Sequence, residues 1–345
     1  MVVSRELISA MIEGRTKIIR LHHLRFTTLC LIISSTSSAY ASCGSTACSI
    51  NTNWDEHSAS EPGLNIDLRE SYSRADQLRS GSSKTVADTT TDGEVENLRT
   101  INKITTLSAD YTADEHWGLV VNIPYVSRDH SHHLGPYTGT EPAGYESFHA
   151  DSLGDIKIVA RYRWTLNDEK QSGAGIKLGL KLGTGRHDFT MNTGVKPSEV
   201  TLQPGNGSTD LILGAFWNQA APAEALSWFA QVTLQSSVKH GGSFRPGNHV
   251  NLDAGTRYVF SRGLSGLLQL NAQWSAADSG ASAALTDAGD SSSGGKSVSL
   301  TPGFIYAIAA DTNVYGLLQL PLYQYVNGEQ LTASKSVTVG VNHRF

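Results

Sequence analysis

The last twelve residues, SKSVTVGVNHRF, alternate with a strict period of two. Val337, Val339, Val341, His343 and Phe345 fall on one side, and Ser336, Thr338, Gly340, Asn342 and Arg344 on the other. That period marks a strand whose two faces meet different surroundings. The pattern recurs from Gly63 onward. Leu64, Ile66 and Leu68 alternate with Asn65, Asp67 and Arg69, and Trp117, Leu119, Val121, Ile123 and Tyr125 share one face of the next clear segment. Ile156, Ile158, Ala160, Tyr162 and Trp164 oppose Asp155, Lys157, Val159, Arg161 and Arg163. Ile176, Leu178, Leu180 and Leu182 oppose Lys177, Gly179, Lys181 and Gly183, and Leu264, Leu268, Leu270 and Trp274 oppose Ser265, Gln269, Asn271 and Gln273.

Two architectures bury one face of many such strands: a soluble sandwich and a membrane barrel. Three features favour the barrel. The polar faces are rich in Gly, Ser, Asn and Gln with isolated charges, as a filled or wet lumen would be. Aromatic residues gather at strand ends, among them Trp117, Tyr125, Trp164, Trp217, Trp228, Tyr258, Trp274 and Tyr323, where interfacial girdles belong. Connections alternate in length. Long ones are expected near 78–93, 128–151, 186–206, 240–248 and 277–295, with a shorter one at 326–332. Tight turns fall near 113–116, 167–173, 220–225, 261–263 and 309–312. The pattern predicts an all-β, antiparallel, up-and-down transmembrane barrel of about twelve strands over residues 63–345, with both ends periplasmic. An open sheet edge is untenable in lipid, so the last strand is expected to pair with the first. A final strand ending on Phe345 also fits recognition by the barrel assembly machinery.

Composition narrows the classes. Among 345 residues, 17% are charged, so no charge excess points to nucleic acid. No window of about 18 uninterrupted apolar residues exists, which excludes a helical membrane span on length. Lys17, Arg20 and Arg25 precede the apolar run FTTLCLIISS and then Ala39-Tyr40-Ala41, so residues 1–41 read as a cleaved signal peptide, with Met11 the expected start. Cleavage removes five basic and two acidic residues and leaves 22 basic against 30 acidic side chains, a net of −8. Residues 42–62 are then a periplasmic N-terminal segment.

The stretches LGDIKIVARYRW (153–164) and GIKLGLKLGTGR (175–186) resemble the outer-membrane family named after the MetA pathway of phenol degradation. CSINTNWD (48–55), PYVSRDHSHH (124–133) and LPLYQYVNGEQL (320–331) resemble proteobacterial outer-membrane barrels more widely. The resemblance implies a barrel in the outer membrane of a Gram-negative bacterium and passage of small organic compounds. Its motifs are structural and carry over no catalytic residue.

Candidate chemistry is limited. Cys43 and Cys48, in CGSTAC, are expected to form a disulfide in an oxidising periplasm, the alternative being a metal or redox pair. His130, His132, His133 and His149 cluster in the expected loop 128–151 and form a candidate metal trap, against the simpler reading of a polar loop. Neither His130-Ser131 nor His240 with Ser243 shows an orienting partner, so no enzyme and no cofactor are expected. If Ile156 to Trp164 face lipid, Lys157, Arg161, Arg163, Lys177 and Lys181 face the lumen, joined by Asp253 and Arg257. The reversed register would cost roughly 2–4 kcal/mol per Lys or Arg near the bilayer midplane. Counting Arg69, seven inward bases stand against Asp67, Asp155, Asp210 and Asp253, an excess suited to anions. The leading expectation is therefore passive passage of small, anionic or aromatic solutes. The alternative is a non-transporting barrel that binds metal or a partner through its His-rich loop or Cys pair. For the Cys pair, thiol labelling of the mature protein should find no free thiol before reduction; free thiols with bound metal would instead favour a metal site.

Overall fold

The computed structural model describes residues 40–41, 62–90, 93–168, 172–195, 200–220, 225–240, 244–280 and 293–345. The expected signal, apart from Tyr40 and Ala41, and the Cys43–Cys48 pair lie outside the described residues. The strands are β1 (Tyr40–Ala41), β2 (Gly63–Gly81), β3 (Ser83–Lys84), β4 (Gly93–Thr112), β5 (Trp117–Gly135), β6 (Gly144–Leu153) and β7 (Ile156–Asn167). They continue with β8 (Ser172–Leu182), β9 (Thr209–Ala220), β10 (Leu226–Lys239), β11 (His249–Val259), β12 (Leu264–Ser275), β13 (Gly295–Ala309) and β14 (Thr312–Arg344).

Eleven of these ranges form a closed antiparallel ring, β2-β4-β5-β7-β8-β9-β10-β11-β12-β13-β14, with β14 pairing back onto β2. β3 and β6 attach to β2 and β5, and β1 pairs with β14 in parallel. The range β14 is 33 residues long, whereas its partners β13 and β2 have 15 and 19. Its first half is in register with β13 and its second half with β2. Between the halves Gly328 takes a φ of +63°, a turn conformation suited to glycine. The hydroxyl of Thr312 lies 2.8 Å from His343 Nδ1, and Asn313 donates to Asn342 at 3.1 Å. The two halves therefore lie side by side, and the range folds back at Asn327-Gly328.

Burial inverts the arrangement of a soluble protein. Leu178, Leu252, Leu268 and Val339 are about half exposed, at 58%, 53%, 45% and 54%, on the outer face. Gln231, Asp253, Gln269, Thr301 and Thr338 are buried on the inner face. Exposed aromatic residues rim this apolar band. Trp117, Trp164, Trp217, Trp228 and Tyr258 stand near the short turns, while Tyr72, Tyr125, Trp274 and Tyr323 lie toward the opposite end.

The expected loop 128–151 is mostly strand. β5 continues to Gly135 and pairs with β6 from Tyr125↔Leu153 to Leu134↔Gly144, leaving only residues 136–143 as connection. Both faces carry polar residues here, so the alternation continues without the apolar partner that betrays a strand. Phe148 and Ala150 of β6 pack with Met191 and Leu202 from the long β8–β9 connection. Gln203 pins that connection by donating to the Phe189 carbonyl at 2.8 Å and accepting from the Phe189 amide at 3.2 Å. Arg128 donates to the Thr201 and Gln203 carbonyls, which holds the connection against the inner face of β5.

Long inward side chains lie flat over glycines of neighbouring strands. A Cβ on Gly118 would sit 2.5 Å from the Arg161 guanidinium carbon, and one on Gly340 would overlap the Tyr315 ring. Gly340→Leu should therefore overpack the wall and cost roughly 1–3 kcal/mol. A lower temperature for loss of the compact electrophoretic form would show it, and an unchanged temperature would refute the packing role.

Candidate functional site in the lumen

The β7–β8 register places Lys157 opposite Lys181 and Arg161 opposite Lys177. Like charges directly opposite repel, so each requires acids from elsewhere. Lys181 Nζ lies 2.8 Å from Asp155 and 3.5 Å from Asp210, and donates to Asn206 at 2.7 Å. Arg161 forms a 2.5 Å ion pair with Asp110 and donates to Thr112 at 2.6 Å. Both cations are buried on the inner face, as is Arg163, which lies over Gly173 and whose Nε has no hydrogen-bond partner. Lys157 is half-buried on the same inward alternation. Charged hydrogen bonds of this kind are stronger than neutral ones and fix side-chain position.

A polar chain runs from this hairpin around the wall. Lys177 donates to Gln231 at 3.1 Å, Gln231 to Asp253 at 3.1 Å, Asn271 to Asp253 at 2.7 Å, and Thr301 to Asn271 at 2.6 Å. Arg257 shares the inward face of β11 with Asp253. On the other side Arg69 pairs with Asp67 at 2.6 Å and reaches Asn122 at 3.3 Å, and Tyr315 donates to Asp67 at 2.8 Å. Four acids were legible from the sequence. The structure adds Asp110, buried on β4 beside Thr106, Ser108 and Thr112. That polar alternation in TTLSADYT was available in the sequence, but its opposite face mixes Thr105, Leu107, Ala109 and Tyr111 and gives a weaker signal.

The four candidate metal-binding histidines occupy three environments. His130 and His132 are buried on one face of β5, in a chain Thr100–His130–His132–Glu146 with steps of 2.9, 3.0 and 3.2 Å. His133 packs on the opposite face against Tyr137 and Tyr145. His149 is exposed on β6, 2.7 Å from Asp129 and 2.9 Å from Asp151. Among the described residues no group of three or more His, Cys, Asp or Glu is arranged to hold a metal ion.

No protein-family model matches the chain, and no curated protein matches it either. Solved structures do match. An outer-membrane channel from Pseudomonas putida F1 superposes with a TM-score of 0.62 at 13% identity, covering 86% of this chain and 100% of that one. The two share a fold, a closed antiparallel β-barrel. The NanC porin covers 81% of this chain and 100% of its own at 10% identity, with a TM-score of 0.45. The translocator domain of the autotransporter NalP from Neisseria meningitidis covers 84% and 91% at 10% identity, also at 0.45. Likeness at those scores adds nothing to the fold assignment.

His149 sits on β6, outside the closed ring. The hydrogen bond to Asp129, and secondarily that to Asp151, raises its pKa above the ordinary 6.5. A raised imidazole pKa stabilises the folded form below the unfolded value, and this contribution is lost as pH rises through the folded value. Asp129→Asn should move the His149 titration midpoint down toward the ordinary value, followed by the ring-carbon NMR signal across pH. An unmoved midpoint would exclude Asp129 as the cause.

Proposed function

We propose that this barrel spans the outer membrane of a Gram-negative bacterium and gives small solutes passive passage. A closed sheet that is apolar and aromatic-rimmed outside and charged inside supports this reading most directly. We count twelve crossing strands, taking the two halves of β14 separately. A ring with only antiparallel neighbours requires an even number, and the pairings of β14 with β13 and β2 are both antiparallel. A twelve-stranded barrel stands between the filled eight-stranded kind and the open sixteen-stranded porins, which suits a narrow conduit. The resemblance to the MetA-pathway family, which implies passage of small organic compounds, agrees with that size of cargo. The inner face suits a channel in that its buried charges are spread around the wall as ion pairs and hydrogen-bonded chains instead of converging on one cleft.

The solute class follows from the wall charges. The inward bases, Arg69, Arg128, Lys157, Arg161, Arg163, Lys177, Lys181 and Arg257, outnumber the inward acids, Asp67, Asp110, Asp155, Asp210 and Asp253. The ion pairs neutralise much of the field and leave a net positive wall, which favours small anions. Single-channel recording in a planar bilayer under a salt gradient tests both points. The wild type should conduct with an anion-selective reversal potential. Replacing Lys157, Arg161 and Lys181 with Gln removes three of these bases and should shift that potential toward cation selectivity. A wild type that conducts no salt would defeat the channel reading, and an unshifted potential would defeat the anion preference alone.

A further inference from the structure

The inner wall is not polar all round. Phe229, Leu267, Ile305, Tyr315 and Leu317 form a buried apolar cluster. Three of them share the inward alternation of a polar neighbour, Phe229 with Gln231, Leu267 with Gln269 and Ile305 with Thr301, and Tyr315 bonds to the inward Asp67. The cluster therefore faces the lumen and not the outer band. Phe229 and Leu267 lie three residues from the short-turn ends of β10 and β12, and Ile305 lies four from the end of β13. Arg161, Lys177 and Asp110 lie six, five and two residues from the same ends of β7, β8 and β4.

Near one end of the barrel, then, a mainly apolar arc from β10, β12, β13 and β14, interrupted at β11 by Arg257 opposite Leu267, stands apart from a charged arc from β2, β4, β7 and β8. Contacts join the arcs on both sides. Tyr315 gives its hydroxyl to Asp67 at 2.8 Å. On the other side Lys177 stands 5.6 Å from the centre of the Phe216 ring and bonds to Gln231, two residues from Phe229. Leu267, Ile305, Leu317, Arg161 and Lys177 are all buried, the apolar ones packed on one another along the wall.

We propose that this two-sided ring is the selectivity constriction, and that it favours solutes with a compact apolar body and one anionic group over fully polar neutral solutes of similar size. The inference rests on the channel reading above. A sugar entering the ring must shed water along an arc whose Phe, Leu and Ile side chains offer no hydrogen bond, and whose tyrosine hydroxyl is already given to Asp67. Stripping a polar group of water without a new partner is unfavourable. An apolar body loses nothing on that side, while its carboxylate meets Arg161 and Lys177 on the other. The chemical class is a small aromatic or branched monocarboxylic acid.

Liposome swelling with benzoate and with arabinose, on protein whose heat-modifiable migration is intact, tests the assignment. The wild type should admit benzoate faster than arabinose. Leu267→Ser with Ile305→Thr should lower that ratio about tenfold by giving the arc hydrogen-bonding groups. Leu317→Met, which keeps volume and apolar character, should preserve it. A wild-type ratio of one, or a ratio unchanged in the double variant, would overturn the constriction while salt conductance left the channel reading standing. If the double variant does not fold, Lys177→Gln takes its place and should slow benzoate without slowing arabinose; no slowing of benzoate would overturn the proposal. Absence of salt conductance in the wild type would remove both.

Discussion

The pairing of β2 with the second half of β14 is the constraint on which everything else in this barrel depends. It joins residues near one end of the sheet to residues near the other, from Asn65↔Arg344 to Leu78↔Leu331. Without it each of these strands presents a row of unpaired amides and carbonyls, the template for pairing with another chain. Closure also decides which face is inside. Once the sheet is a tube, the period-two alternation must send one set of side chains to a confined interior, and a slip of one residue would exchange the sets. Inward hydrogen bonds such as Ser71 to Thr338, 2.7 Å apart across the seam, hold that choice.

The interior then has to reconcile charge with confinement. Lysines and arginines opposite one another on β7 and β8 would repel in a low-dielectric lumen. Asp110, Asp155 and Asp210 arrive from three different elements or connections to meet them, and Lys177 is linked to Asp253 through Gln231. Removing one partner of such a buried pair costs more than the pair contributes, because the other charge is stranded. The wall is thus rigid where it is most charged. The long β8–β9 connection, tied down by Gln203 and Arg128, extends that order above the tube.

Much of this was legible in the sequence because a barrel repeats one simple rule. The alternation in IKIVARYRW and GIKLGLKL identified strands, faces and the inward cations without further help. Legibility failed where both faces were polar. RDHSHH and ESFHAD looked like a loop, although they are paired strands β5 and β6. It failed again for Asp110, whose strand has a mixed outer face, and for the apolar arc. Leu267 and Ile305 sit at inward positions, and hydrophobic identity alone assigns such residues to lipid. Only their phase relative to Gln269 and Thr301 places them inside.

The glycines beneath the long inward side chains carry a consequence for how such a tube can change. Arg161 lies in the space that a side chain at Gly118 would need, Arg163 in that of Gly173, and Tyr315 in that of Gly340. Lying flat keeps these side chains close to the wall, so the bore is set by pairs of positions on adjacent strands. Neither member of a pair is free to vary alone. A larger residue at position 118 pushes Arg161 toward the axis and narrows the passage, while a smaller one at 161 leaves a hollow over glycine. Lineages that alter the diameter should therefore alter both positions together, and covariation between neighbouring strands would record the history of the bore.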